Sequence, residues 1–178
     1  MTKTNDFIFK ALMIVAWIIF VALCIEAGAL VVNFIFSIFN PSIVGDLYQK
    51  LDLSRLYQQS QMVFYGMFGF VLFIALLKAY LFYVVISLLH KFDLTKPFSS
   101  FVSKQIFQIS YITFSIGIFS YIARQTTKDL SIQGYALQDL NQFWVDSQTH
   151  IVMAAIIYII AVIFKKGIEL QNENDLTV

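Results

Sequence analysis

Residues Met62–Leu89 read MVFYGMFGFVLFIALLKAYLFYVVISLL, and Lys78 is the one formal charge among them. The run is too long for a strand and long enough to cross a hydrocarbon core of about 30 Å as a helix. A lysine at that depth costs roughly 2.5–3.5 kcal/mol on insertion scales, so Lys78 is expected to face a partner inside the protein rather than lipid. The acid buried at comparable depth is Glu26, in the first apolar segment. The stretch therefore points to a polytopic membrane protein with one candidate internal ion pair.

Three further apolar segments flank it. The first covers residues 11–39 and is broken by Glu26 and Asn33. The third, 105–123, is weaker and holds Gln108, Ser110, Thr113, Ser115, Gly117 and Ser120. The fourth has the core Ile151–Phe164, which reaches spanning length over 149–166 when Lys165 and Lys166 snorkel to the interface. The expected fold is all-α: a four-helix transmembrane bundle, one integral membrane domain over 1–178, with a tail at 167–178. Composition agrees, with 59% hydrophobic and only 13% charged residues, against about 25% charged in soluble domains. A cleaved signal peptide ending near Ala27-Gly28-Ala29 is disfavoured, because apolar character continues through Leu30–Phe39.

Lysine and arginine set the expected orientation. With four spans, Lys3, Lys10, Lys91, Lys96, Lys104, Lys165 and Lys166 share one side, and Lys50, Arg55, Arg124 and Lys128 the other. The positive-inside rule then places both termini in the cytoplasm.

The loops carry further signals. Leu47, Tyr48 and Leu51 recur near helical spacing after the Asn40-Pro41-Ser42 stop, and Leu137, Leu140 and Trp144 share one face. These segments read as ordered connectors or short helices over the outer end, with Phe143 and Trp144 as interfacial anchors. On the other side, Pro97-Phe98-Ser99 leads into the third span. Ser99 is placed to cap a helix starting near Ser100, and Phe98 to staple onto its first turn.

Depth arithmetic brings Glu26 and Lys78 to one level. Glu26 lies roughly 22 Å into the first span and Lys78 roughly 18 Å from the cytoplasmic end of the second, at 1.5 Å per residue. Ala22, Glu26, Ala29 and Asn33 form a small-and-polar stripe, expected to be the buried face of the first span. Asn33, Gln108 and Ser115 are candidate supporting polar groups. The pair reads first as a register-fixing contact and second as part of an ion, proton or ligand pathway. The third span is polar on two sides and is expected to lie centrally. Gly66 and Gly69 suggest a close crossing in the second.

Several chemistries are not expected. Phosphate-binding glycine loops and zinc-helix motifs are missing. His90 and His150 fall on opposite sides of the membrane and cannot share a metal, so no cofactor is expected. The net charge of +1 gives no case for direct nucleic-acid binding. With no acid–base set, an enzyme is not expected.

The chain ends ELQNENDLTV. This ending, the Pro97-Phe98 turn and the four spans resemble a bacterial membrane family called domain of unknown function 2975. The tail pattern falls here on Lys166, Gly167, Leu170, Glu173, Asp175, Leu176, Thr177 and Val178. The resemblance implies a multi-pass protein of the bacterial inner membrane, often encoded beside a small helix-turn-helix regulator, and implies no known activity. The leading expectation is a non-enzymatic accessory protein that binds a cytoplasmic partner through Leu170–Val178 and the Pro97 turn. The alternative is a small transporter or channel using Glu26 and Lys78, and a third is a homo-oligomeric scaffold.

Overall fold

The computed structural model describes residues 3–92, 98–144 and 146–175. Five α-helices account for most of them: α1 (Lys3–Phe39), α2 (Ser54–Gln59), α3 (Gln61–Lys91), α4 (Ser100–Ile132) and α5 (Ser147–Asp175). Short 3-10 turns cover Pro41–Gly45, Tyr48–Lys50 and Gln138–Phe143. No strand occurs among the described residues. Helices α1, α3, α4 and α5 are each long and apolar enough to cross a bilayer, and the protein is a multi-pass membrane protein.

The four long helices run up and down. Each packs on its neighbours in the sequence, α1 on α3, α3 on α4 and α4 on α5, with α1 and α5 as the flanks. One end carries the N-terminal part of α1, the exit of α3, the entry to α4 and the C-terminal part of α5, and the other the α1–α3 and α4–α5 connections. At the termini end Phe9 stacks on Phe92 at 5.4 Å between ring centroids, and the Lys91 ammonium lies 4.9 Å from the Phe101 ring. At the loop end Phe34 meets Tyr65 and Phe68. Isoleucines such as Ile18, Ile25, Ile159 and Ile163 point outward from the flanks, as lipid-facing positions do.

The seam of α1 is Phe9, Met13, Ala16, Phe20, Leu23, Ala27, Leu30, Phe34 and Ser37, all buried or half-buried. Their alternating spacing of four and three averages 3.5 residues, the period that holds one stripe against a neighbouring helix. This corrects the expectation that Ala22, Glu26, Ala29 and Asn33 form the buried face. Ala22 is exposed, while Glu26, Ala29 and Asn33 are half-buried on the flank of the true seam. The two stripes differ by one residue, or 100° of rotation. The seam mixes half-buried large side chains with the buried Ala16, Ala27, Leu30 and Ser37, and the small-polar stripe is turned aside.

Helix α4 meets its expectation. It is the most buried of the four spans. Ser110, Thr113, Gly117 and Ser120 all lie buried on one side, and across from them α5 presents Ser147, Ala154 and Ala161, spaced seven apart and buried. Small residues on both helices permit a close approach. Gly117 is where the approach is tightest: a Cβ there would come 2.7 Å from Cγ1 of Ile151 and 3.0 Å from its backbone nitrogen. The Ser110 hydroxyl donates across the seam to the Ala154 carbonyl at 2.9 Å. Gly66 and Gly69 do not make the close crossing expected of them, since no heavy atom lies within 4 Å of a Cβ at either.

The loop end is plugged. Leu47, Leu51, Leu53, Leu56, Leu137, Leu140 and Trp144 are almost wholly buried and join one core with Leu30, Phe64 and Phe68. Trp144 is thus a core residue at 1% exposure rather than an interfacial anchor, and Phe143 packs against the same core half-buried.

Candidate functional site

The intramembrane polar residues do not assemble into one site. Glu26 on α1 and Lys78 on α3 are both half-buried on helices that pack together. They make no ion pair within 4.0 Å, unlike Lys166 and Glu169 at 2.7 Å. The expected Glu26–Lys78 contact is therefore not formed. The physical reason is the seam correction above, because Leu23, Ala27 and Leu30 occupy the interface and rotate Glu26 to its edge. The supporting groups have other duties. Gln108 donates to the Tyr80 hydroxyl at 2.6 Å, tying α4 to α3. Ser115 donates to the Tyr111 carbonyl of its own helix at 2.9 Å. Asn33 stays half-buried on α1.

The termini end is more organised. Ser99 caps α4, its hydroxyl accepting from the Val102 amide at 3.3 Å, as the sequence suggests. Pro97 lies outside the described residues. Phe98, just before the cap, does not stay on α4 alone. Its ring centroid is 5.4 Å from that of Phe164 on α5. One turn further along α5, Gly167 has no side chain, and a Cβ there would lie 2.6 Å from two atoms of the Phe98 ring. Gly167 thus acts as a seat for Phe98, and the turn before α4 is fastened to the end of α5.

Beyond that seat α5 continues as helix through Gly167–Asp175. Lys166 and Glu169 form an ion pair of 2.7 Å across one turn, the spacing at which helical side chains are neighbours. Both are substantially solvent-exposed, so the pair adds little stability. Leu170 is exposed at 61%, an apolar side chain presented from a polar helical extension. Glu173 and Asp175 follow on the same helix, and Leu176, Thr177 and Val178 lie outside the described residues. Of the residues singled out in the sequence, Phe98, Ser99 and the start of the tail are brought together, whereas Glu26 and Lys78 are not. In the sequence Gly167 stands out as the glycine directly after the Lys165-Lys166 pair and as one position of the tail pattern, with nothing to mark it as a seat.

No curated protein and no solved structure matches this chain. The family described as a protein of unknown function, DUF2975, matches residues 47–178. The matched region begins at the loop-end plug, omits the whole of α1 with Glu26, and takes in the Phe98 turn, its Gly167 seat and the whole of α5. By that match over about three quarters of its length, the chain belongs to the DUF2975 family.

Proposed function

We propose that this protein is a non-enzymatic membrane accessory protein whose termini end docks a soluble cytoplasmic regulator. The observation that carries the reading is the seating of Phe98 on Phe164 and Gly167. It makes the turn before α4 and the extension of α5 parts of one surface. That surface offers an apolar anchor in Leu170 and, one turn on, the acidic Glu173. The helix-turn-helix regulator is proposed as the partner because the family resemblance implies one encoded nearby. The excess of lysines at this end supports its placement in the cytoplasm of a bacterial inner membrane.

The test is deletion of Leu170–Val178 followed by co-purification with a co-expressed helix-turn-helix regulator from the same operon. Loss of the regulator from the purified complex is expected. Undiminished recovery would remove the tail from the docking surface. The alternative is a small transporter or channel with Glu26 and Lys78 lining a pathway, and no observation favours it over docking.

A further inference from the structure

The loop end contains a polar cleft of about 590 Å³, lined among others by Asp52, Arg55, Gln59, Tyr135, Gln138 and Asp139. One wall is α2 with the residues before it, and the other is the chain after α4. The walls are joined by one side chain. Gln59 donates from Nε2 to the Gly134 carbonyl at 3.0 Å and accepts at Oε1 from the Ala136 amide at 2.9 Å. Gly134 has φ of +93°, a conformation side chains other than glycine rarely adopt. The polar lining alternates with buried leucines: Leu53 and Leu56 sit below Asp52 and Arg55, and Leu137 and Leu140 below Gln138 and Asp139. The cleft thus has buried leucines beside its polar lining and one side chain, Gln59, bonding its two walls together.

Its charges are of both signs, and although Arg55 lowers the Asp52 pKa through space, the two form no ion pair within 4.0 Å. Asp52 is a fixed anion. Its Oδ1 accepts from the Ser54 hydroxyl at 2.6 Å and the Ser54 amide at 2.9 Å, and these bonds hold its carboxyl below the usual carboxylate range. Arg55 makes no ion pair within 4.0 Å with Asp52, Asp139 or any other described acid. A guanidinium and two carboxylates lining one cleft with no ion pair within 4.0 Å between them suit a ligand that brings both an anionic and a cationic group, each able to form a charge-assisted hydrogen bond. We infer that this cleft binds a small zwitterion carrying a primary amine and an acidic group, either a free solute such as an amino acid or short peptide, or an ethanolamine lipid headgroup.

The test uses full-length protein in nanodiscs and alanyl-alanine as the probe, with binding measured by calorimetry. In phosphatidylglycerol discs, saturable binding is expected. N-acetylation or C-amidation of the probe should each weaken binding by about ten-fold or more, as loss of a charged hydrogen bond does. Arg55→Gln and Asp139→Asn, both at exposed positions, should do the same while thermal unfolding stays unchanged. Dipeptide binding that fades in discs containing phosphatidylethanolamine identifies the headgroup as the competing source, and binding indifferent to that lipid identifies a free solute. No saturable binding in phosphatidylglycerol discs, equal binding of the one-charge analogues, or indifference to both substitutions would overturn the inference.

Discussion

The ring of Phe98 occupies the space that a side chain at position 167 would fill, 2.6 Å from where its Cβ would stand. Two segments far apart in sequence, the entry to α4 and the exit of α5, are therefore held together by a glycine and a phenylalanine. Gly167→Ala improves helix propensity by about 1 kcal/mol but evicts a partly exposed ring that is free to swing away. Global stability should change by less than about 1 kcal/mol, measured by thermal unfolding in detergent. Co-purification of a regulator should nevertheless fall, because the shared surface is lost.

Gly117 gives the opposite outcome with the same substitution. The Cβ of Gly117→Ala would meet backbone atoms of Ile151 and Ser147, at 3.0 and 3.2 Å, as well as the Ile151 side chain. Backbone in a packed helix cannot step aside without separating α4 from α5. A loss of about 1–3 kcal/mol is expected, as for overpacked cores. Gly66→Ala and Gly69→Ala meet nothing within 4 Å and should be neutral or slightly stabilising. Thermal unfolding of the three variants side by side checks the ranking.

Across the same seam, Ser110→Ala removes the hydrogen bond to the Ala154 carbonyl. Interhelical bonds of this kind in membranes average about 0.6 kcal/mol and reach about 1.7. A loss in that range is expected, smaller than the Gly117→Ala effect.

Glu26 and Lys78 should behave as independent groups. A double-mutant cycle of Glu26→Gln and Lys78→Met is expected to give a coupling energy below about 0.5 kcal/mol, the additivity seen for sites that share no contact. Coupling well above that value in an unfolding assay would mean that the two groups interact.

Asp52 ties stability to pH at the loop end. Its carboxyl titrates below 3.8 because the Ser54 hydroxyl and amide bond to its charged form. A depressed carboxylate contributes stability that is present above its unfolded value and is lost as pH falls through its folded value. Ser54→Ala should move the Asp52 titration back up toward 3.8, read by carbon-13 NMR of the labelled carboxyl.

Much of this architecture was legible in the sequence. Apolar length located four helices, and the spacing of Ser110, Thr113, Gly117 and Ser120 marked a buried face on α4. Ser99 was readable as a cap from its position after Pro97-Phe98. The buried side of α1 was not readable in the same way. In lipid every face of a helix can be apolar, so the stripe through Glu26 and the stripe through Ala27 carry equal helical periodicity. Packing against α3 decides between them. Glycine spacing failed for a related reason. Gly66 and Gly69 form a recognisable pair but face open space, whereas Gly117 and Gly167 stand alone and are the ones that neighbours crowd. The Gln59 bridge joins positions 75 and 77 residues apart, and no local pattern announces it.

The shared surface at the termini end can be tested most directly by crosslinking. In a Cys24→Ser background, Phe98→Cys combined with Gly167→Cys is oxidised in native membranes, with Gly66→Cys combined with Gly167→Cys as the distant control. Rapid disulfide formation in the first pair and none in the second is the expected result. A Phe98–Gly167 pair that crosslinks no faster than the control would contradict the seating of the turn on α5, and with it the docking surface.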